Sequence, residues 1–517
     1  MRSRGLAVAL ASSVCLWSVT SLAETQDAVL EISLTDAATG NLVYARCLVN
    51  GALGKDGCTV EGQKPFPVGG GWWYVIPGTL RLDVPTGETT LLIERGLEYE
   101  PIRDAFEVNS GETVVRSYEL RRWINMAERG WRSGEMHIHY PPEVVHDQIL
   151  AADLNVGTCL VAWVAEGDER SDSPEIDPIR RIDQDYVYSI NDEEIERFPI
   201  TEYGGPVYLL GLRKQIHLDA PTPSYPTNIE YMRLARDQGG VVALHSACFY
   251  DAPVAAALGM VDAVGVACNF FGYDYTMKRV KHYGNADDLQ LYGHTPWGTA
   301  NMIFGKYYRL LNCGFRLPVS AGSAAPVKPN PVGGNRLYVK MDGALSYEKY
   351  FEGLKAGRSF ATNGPMLFFE ADGTGPGEEI QLDEPGAIQA RVEAIFNKPL
   401  GKLEVVFNGD VIKTVEASEG EDSIREELEL PIAGSGWIIA RVFWAEDYPI
   451  KFAHTSPIYV TVPGHPLDSS EDAAYYARWI QHRIEWNKTD KGFRQEEHRL
   501  EVEKQLRKAL AVFEGVI

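Results

Sequence analysis

Basic residues are in short supply. The 517-residue chain carries 49 Lys and Arg against 72 Asp and Glu, a formal net charge of −23, so neither a nucleic acid nor an anionic membrane surface is an expected partner. None of the 7 cysteines forms a CxxC pair, which argues against a structural zinc site. The GxSxG nucleophile elbow, the Walker phosphate loop and the Rossmann glycine fingerprint are all missing. Serine-elbow hydrolysis, nucleotide cleavage on a P-loop and dinucleotide binding therefore lose their sequence support. Internal repeats and low-complexity tracts are absent too, and beyond the N-terminus no apolar run reaches membrane-spanning length. What remains is a globular composition, 45% hydrophobic with 10% aromatics, in a chain long enough for about three domains.

The first residues read as an export signal. Arg2 and Arg4 precede a mostly apolar stretch from Leu6 to Leu22, and Ser21-Leu22-Ala23 offers small residues at −3 and −1 before Glu24. Residues 1–23 are thus expected to be a signal peptide, leaving a secreted or periplasmic chain with no transmembrane anchor after cleavage. In such a compartment Cys47 and Cys58, which flank a Gly-rich turn, are expected to form a disulfide. Cys159, Cys248, Cys268 and Cys313 sit in apolar segments and read as buried thiols.

The fold class expected is multidomain α/β plus β. Residues 24–122 alternate apolar and polar between Gly, Pro and Asp turns, as in "AVLEISLTD" and "ETVVRSYEL", and read as an N-terminal β-sandwich. From 123 to 372 strands and helices alternate: "PEVVHDQILAADLNV" then "TCLVAWVA", "NIEYMRLARDQGG" then "VVALHSA", "ANMIFGKYYRLLNCG" then "RLPVSAG". That alternation predicts a parallel sheet, and roughly seven strands favour closure into a barrel. Residues 373–465 return to β character, with "NGD" as a hairpin turn, and read as a C-terminal β-sandwich. Residues 466–517 read as C-terminal helices that pack on the body, with a Ser469/Ser470 cap and an apolar stripe at Tyr476, Ile480 and Ile484.

Within the middle region "GEMHIHY" places His137 and His139 two apart, with Glu135 in the same alternation. On a strand such residues project to one face, and the following "PP" ends the strand, so the pair should lie at a rim. His245 closes the apolar strand "GGVVALHSA" and should reach the same mouth, as could His217 after "VYLLGLRKQI". Histidines gathered this way suit a divalent metal, completed by a carboxylate. Asp192, Glu193 and Glu194 stand in a stretch that reads as an irregular acidic loop, where solvation is the commoner fate of such a run. Ser246 beside His245 makes no triad, since adjacent strand residues face opposite sides, and His454 reads as structural.

"GWRSGEMHIHY" resembles the opening motif of the PHP (polymerase and histidinol phosphatase) superfamily. "LNCGFRLPVSAGSAAPVKPNPVGGNRLYV", followed by "LKAGRSFATNGPML", is similar to its carbamate-hydrolase-like (CehA/McbA) branch. The resemblance covers roughly residues 120–370. It implies a distorted (β/α)7 PHP-like barrel flanked by the two β-sandwich domains. It also implies metal ligation by His137, His139 and His245, with Glu194 matching the mid-barrel acidic ligand. The chain departs from the family where it reads "TCLVAWVAEG" without Asp-His, and where Gly322-Ser323-Ala324-Ala325 lacks Asp-x-His. Fewer ions than in complete members are therefore expected, with Ser323 facing the cavity but supplying no strong ligand. The function expected is an exported metal-dependent hydrolase. Zn2+ or Mn2+ would generate hydroxide from bound water to attack an ester, amide, carbamate or phosphoester of a small-molecule or polymer substrate. Glu194 or Glu166 would move the proton. The rival expectation is a non-catalytic extracellular binding protein with a degenerate site, recognising a polysaccharide or surface partner.

Overall fold

The computed structural model describes residues 28–49, 65–164, 173–196, 204–218 and 221–516. The signal segment 1–23, Cys58 and Glu166 lie outside these residues. Among the described residues no helix is long and apolar enough to cross a membrane.

The N-terminal strands form two sheets over one core. Thr79–Val84, Ala28–Asp36 and Thr113–Leu120 make one sheet; Phe66–Val68, Gly71–Pro77, Tyr44–Val49, Gly87–Glu94 and Ile102–Val108 make the other. In Ala28–Asp36 every second residue is buried, which is the period-2 pattern of a strand with one face on a core. Leu30, Ile32 and Leu34 meet Leu82, Ile76 and Ile93 there. Trp73 and Tyr74 of the aromatic "GWWYVIP" run are also buried, so most of that run packs inward.

The middle region is mixed rather than parallel. Trp131–Gly134, Val156–Gly157 and Val187–Ser189 run parallel. A second sheet has the order Leu160–Val164, Asp192–Ile195, Val207–Leu210, Val241–Leu244, Ala263–Ala267, Val319–Ala321. Within it Val207–Leu210 is antiparallel to both neighbours, correcting the expectation of a uniformly parallel sheet. A parallel neighbour needs a crossover of about a dozen residues or more, and the two strands Asp192–Ile195 and Val207–Leu210 are closer in sequence than that. Residues 136–139 tie the two margins of this sheet together. Leu160 N donates to Ile138 O at 2.8 Å, His139 N donates to Ala325 O at 2.7 Å, and Met136 N donates to Ala321 O at 3.0 Å.

The C-terminal β region is continuous with the middle. The sheet holding Trp131–Gly134 passes through Arg336–Lys340, Ser359–Thr362, Phe452–Thr455, Gly436–Trp444 and Leu400–Phe407 to Asp410–Glu416. A three-stranded sheet of Met366–Ala371, Gly386–Ile395 and Ser423–Ile432 shares its core, where Leu367 and Val392 meet Leu403 and Val442. The expected hairpin turn is present: Phe407 pairs with Asp410, and Asn408 and Gly409 both have positive φ, +53° and +100°, as a type I′ turn requires. The C-terminal helices Ser470–Asn487 and Glu496–Val516 pack on each other and on the body, burying Tyr476, Ile480 and Ile484 as the stripe predicts. Ser469 holds the N-cap position, but its hydroxyl donates to Asn312 O instead of capping the helix.

Candidate metal centre

The acidic run at 192–194 is the largest local departure from expectation. It forms the strand Asp192–Ile195, and every residue in it is buried. A buried carboxylate is costly unless hydrogen-bonded or paired, and each of the three has found partners. Asp192 accepts from Cys159 N at 2.8 Å, from Gly211 N at 2.6 Å and from the Ser189 hydroxyl. Burial still lifts its carboxyl to about 6. Glu193 accepts from Ile216 N at 2.9 Å. Adjacent strand residues point to opposite faces, so Glu194 turns the other way and meets His137 and His139.

Those three residues form one group. Glu194 Oε1 lies 3.4 Å from His137 Nε2, Glu194 Oε2 lies 3.1 Å from His139 Nε2, and the two Nε2 atoms are 2.9 Å apart. Their ligand atoms all fall within 4.8 Å of one another. Ligands bonded to one ion at about 2.0–2.2 Å stand roughly 3–3.5 Å from each other, so the spacing fits a shared cation. Burial lowers the His137 pKa despite the neighbouring carboxylate. Burial alone would raise Glu194, but the two imidazoles outweigh it and hold the carboxyl well below the usual range. Metal ligation would take the imidazoles neutral and the carboxylate ionised. The remaining nitrogen of His137, Nδ1, lies 2.6 Å from the Tyr208 hydroxyl, a contact of the kind that fixes ring orientation and tautomer in metal-ligating histidines.

His245 follows the strand Val241–Leu244 and reaches the same cavity, as expected. Its ring centroid is 5.9 Å from that of His137, yet it stands outside the three-residue group. Asn269 Oδ1 holds its Nε2 at 2.7 Å, whereas its Nδ1 is buried without a hydrogen-bond partner. Burial, followed by the nearby His137, lowers its pKa to about 3. His245 thus stands beside the three-residue group as a neutral imidazole with one nitrogen unused, and is not part of it.

Other expected residues fall elsewhere. His217 is not among the residues lining the cavity. Glu135 is fully buried and turned to backbone, accepting from Ser323 N and Gly333 N, and burial pushes its carboxyl up to about 8. Ser323 does not face the cavity. Its hydroxyl accepts from Asn335 N at 2.9 Å, and Ala324 lines the cavity instead. The reason is local: Ala324 adopts φ +58° and donates to His137 O at 2.9 Å, rotating Ser323 inward. Gly322 is required here, because an added Cβ would stand 2.4 Å from His137 Cβ. Ser323→Asp is accordingly expected to bind no more metal than the parent. It should lose about 2–4 kcal/mol in denaturant titration, because a second carboxylate would be buried beside Glu135.

The cavity holds about 180 Å3, room for a reacting group rather than a whole drug-sized ligand. Phe249, Phe270 and Tyr283 supply apolar wall, while Arg279, Lys328 and Glu196 bring charge. Sequence reasoning missed Tyr208 and Asn269. Asn269 follows the end of Ala263–Ala267 and was open to the same strand-end argument as His245. Tyr208 carries no such signal, since its role rests on being register partner of Glu194 across an antiparallel pair. Compared with known proteins, the chain matches no family model, no curated protein and no solved structure.

Proposed function

We propose that the chain is an exported metal-dependent hydrolase of the PHP superfamily type, close to the carbamate-hydrolase-like branch. His137, His139 and Glu194 would hold a divalent cation, Zn2+ or Mn2+, within a distorted (β/α)7 barrel. The observation that carries this reading is the buried convergence of two imidazoles and one carboxylate, with a third, half-satisfied imidazole at the same cavity. The hydrogen bonds through Ile138 and Ala325 support closure, because they join both margins of the middle sheet beside the histidines. Export rests on the N-terminal sequence.

Two imidazoles and a carboxylate with an open position make a donor set used by hydrolytic zinc sites. When bound, the ion supplies Lewis acidity and a water of lowered pKa. The chain's own groups do the rest. Tyr208 holds the His137 ring so that Nε2 faces the cavity side. Asn269 orients His245, whose Nδ1 is left to take a ligand or a polar substrate atom. Arg279 and Lys328 favour a substrate oxygen that gains negative charge. Glu194, pinned between two imidazoles, serves as ligand rather than proton carrier. Glu196 is the described carboxylate that lines the cavity outside that group, and it takes the proton-moving role.

The test is hydrolysis of a panel holding an ester, an amide, a carbamate and a phosphoester. Activity on at least one member should vanish on chelation, return with Zn2+ or Mn2+, and be absent in His137→Ala. Hydrolysis indifferent to chelation, or none across the panel by metal-loaded protein, overturns the proposal.

A further inference from the structure

A second cavity of about 440 Å3 lies at the other end of the strand that leads to the histidines. Trp131 opens that strand and pairs with Lys340, the last residue of Arg336–Lys340. Trp131 and His137 are six positions apart, at most about 20 Å of chain, and the two cavities share no lining residue. The volume falls within the range of small-molecule sites, about 300–1,000 Å3.

Charge in this cavity runs against the chain as a whole. Arg129, Lys340, Arg358 and Arg391 line it, together with Glu370, Glu378 and Glu393. Of the carboxylates, Glu393 is ion-paired with Arg129 and Arg425, and Glu378 accepts from Gly375 N at 2.8 Å. Glu370 is register partner of Arg391, whose own ion pair is with Glu427. Lys340 Nζ sits 5.5 Å from the Trp131 ring and donates only to a carbonyl, Arg129 O, at 3.0 Å. Arg358 is exposed, and among the described residues neither it nor Lys340 has a carboxylate within ion-pairing distance. Trp131, Phe368 and Pro376 supply apolar wall beside these two cations. In a protein of net charge −23, two cations left without acidic partners at a part-apolar cavity mark a place where an anion can pair.

We propose that this cavity is a ligand site separate from the histidines, taking a small organic phosphate-bearing anion. Its dianionic head would lie between Lys340 and Arg358, and its apolar body against Trp131 and Phe368. Two unpartnered cations match a dianion in charge, and guanidinium with phosphate forms the stronger, charge-assisted kind of hydrogen bond.

The experiment is isothermal titration of the full protein with phenylphosphonate, which carries the dianion and a ring but has no ester to cleave. The parent should bind one equivalent with a dissociation constant of about 0.1–1 mM. The Lys340→Ala/Arg358→Ala double variant should bind at least about tenfold more weakly, with thermal unfolding unchanged because both side chains are exposed. His137→Ala should bind as the parent does, and phenylacetate, a monoanion, should bind the parent more weakly. Absence of binding up to about 10 mM overturns the proposal. So does binding that His137→Ala removes and the double variant keeps, and phenylacetate binding as tightly as phenylphosphonate overturns the dianion assignment.

Discussion

His139→Ala is expected to weaken metal binding by more than about a hundredfold, since losing even an outer-shell partner of a ligand costs about 10–100-fold. The variant removes one of two imidazole donors and leaves Glu194 facing His137 alone. His139 is the better choice for this test because its side chain retains 10% exposure, against 3% for His137, and it lacks the Tyr208 contact. Truncating it therefore disturbs less of the surrounding packing. Equilibrium dialysis against zinc measures the loss, and an unchanged far-ultraviolet spectrum shows that the fold survives. Retention of parental affinity by folded His139→Ala would remove His139 from the ligand set.

Asp153→Asn is expected to cost about 3–5 kcal/mol, the usual penalty for breaking a buried ion pair on one side. Asp153 ends the helix Pro142–Ala152, which follows the histidines, in a left-handed conformation with φ +50°. Its carboxylate takes Arg95 at 2.9 Å and Arg122 at 2.8 Å, both from the N-terminal β region. Asparagine tolerates the left-handed conformation nearly as well, so the substitution isolates the charge. Arg95, with a side chain only 8% exposed, would be left buried without its counter-ion. Burial alone would raise the Asp153 pKa, but the two guanidiniums outweigh it and depress the carboxyl well below its ordinary value. A depressed folded pKa gives stability that is fully present above the unfolded value of about 3.9. It is lost only as pH falls from there through the folded value. The deficit of the variant should thus be the same at pH 8 and pH 5 and shrink below about pH 4. Urea titrations of parent and variant across that range check both the size and the sign.

The legible parts of this protein are those set by short-range rules. Strand alternation located Ala28–Asp36, the Asn408-Gly409 turn announced its hairpin, and the spacing of Tyr476, Ile480 and Ile484 identified a buried helical face. The strand-end argument also brought His137, His139 and His245 to one cavity. It misled where side-chain direction depends on distant partners. An acidic tripeptide reads as solvated, yet 192–194 is buried because Cys159, Gly211, Ile216 and two imidazoles satisfy it from other parts of the chain. Ser323 turned inward because of one left-handed alanine, a conformation that no residue pattern advertises. The antiparallel run of Val207–Leu210, and with it the placing of Tyr208 opposite Glu194, follows from long-range pairing.

The central claim is that His137, His139 and Glu194 hold a cation together. Its most direct test is an anomalous difference map from a crystal of protein purified without chelators and soaked in zinc. The account predicts a peak bonded to His137 Nε2, His139 Nε2 and a Glu194 oxygen at about 2.0–2.2 Å. A map with no peak among these three residues, at full zinc occupancy elsewhere in the crystal, would contradict it.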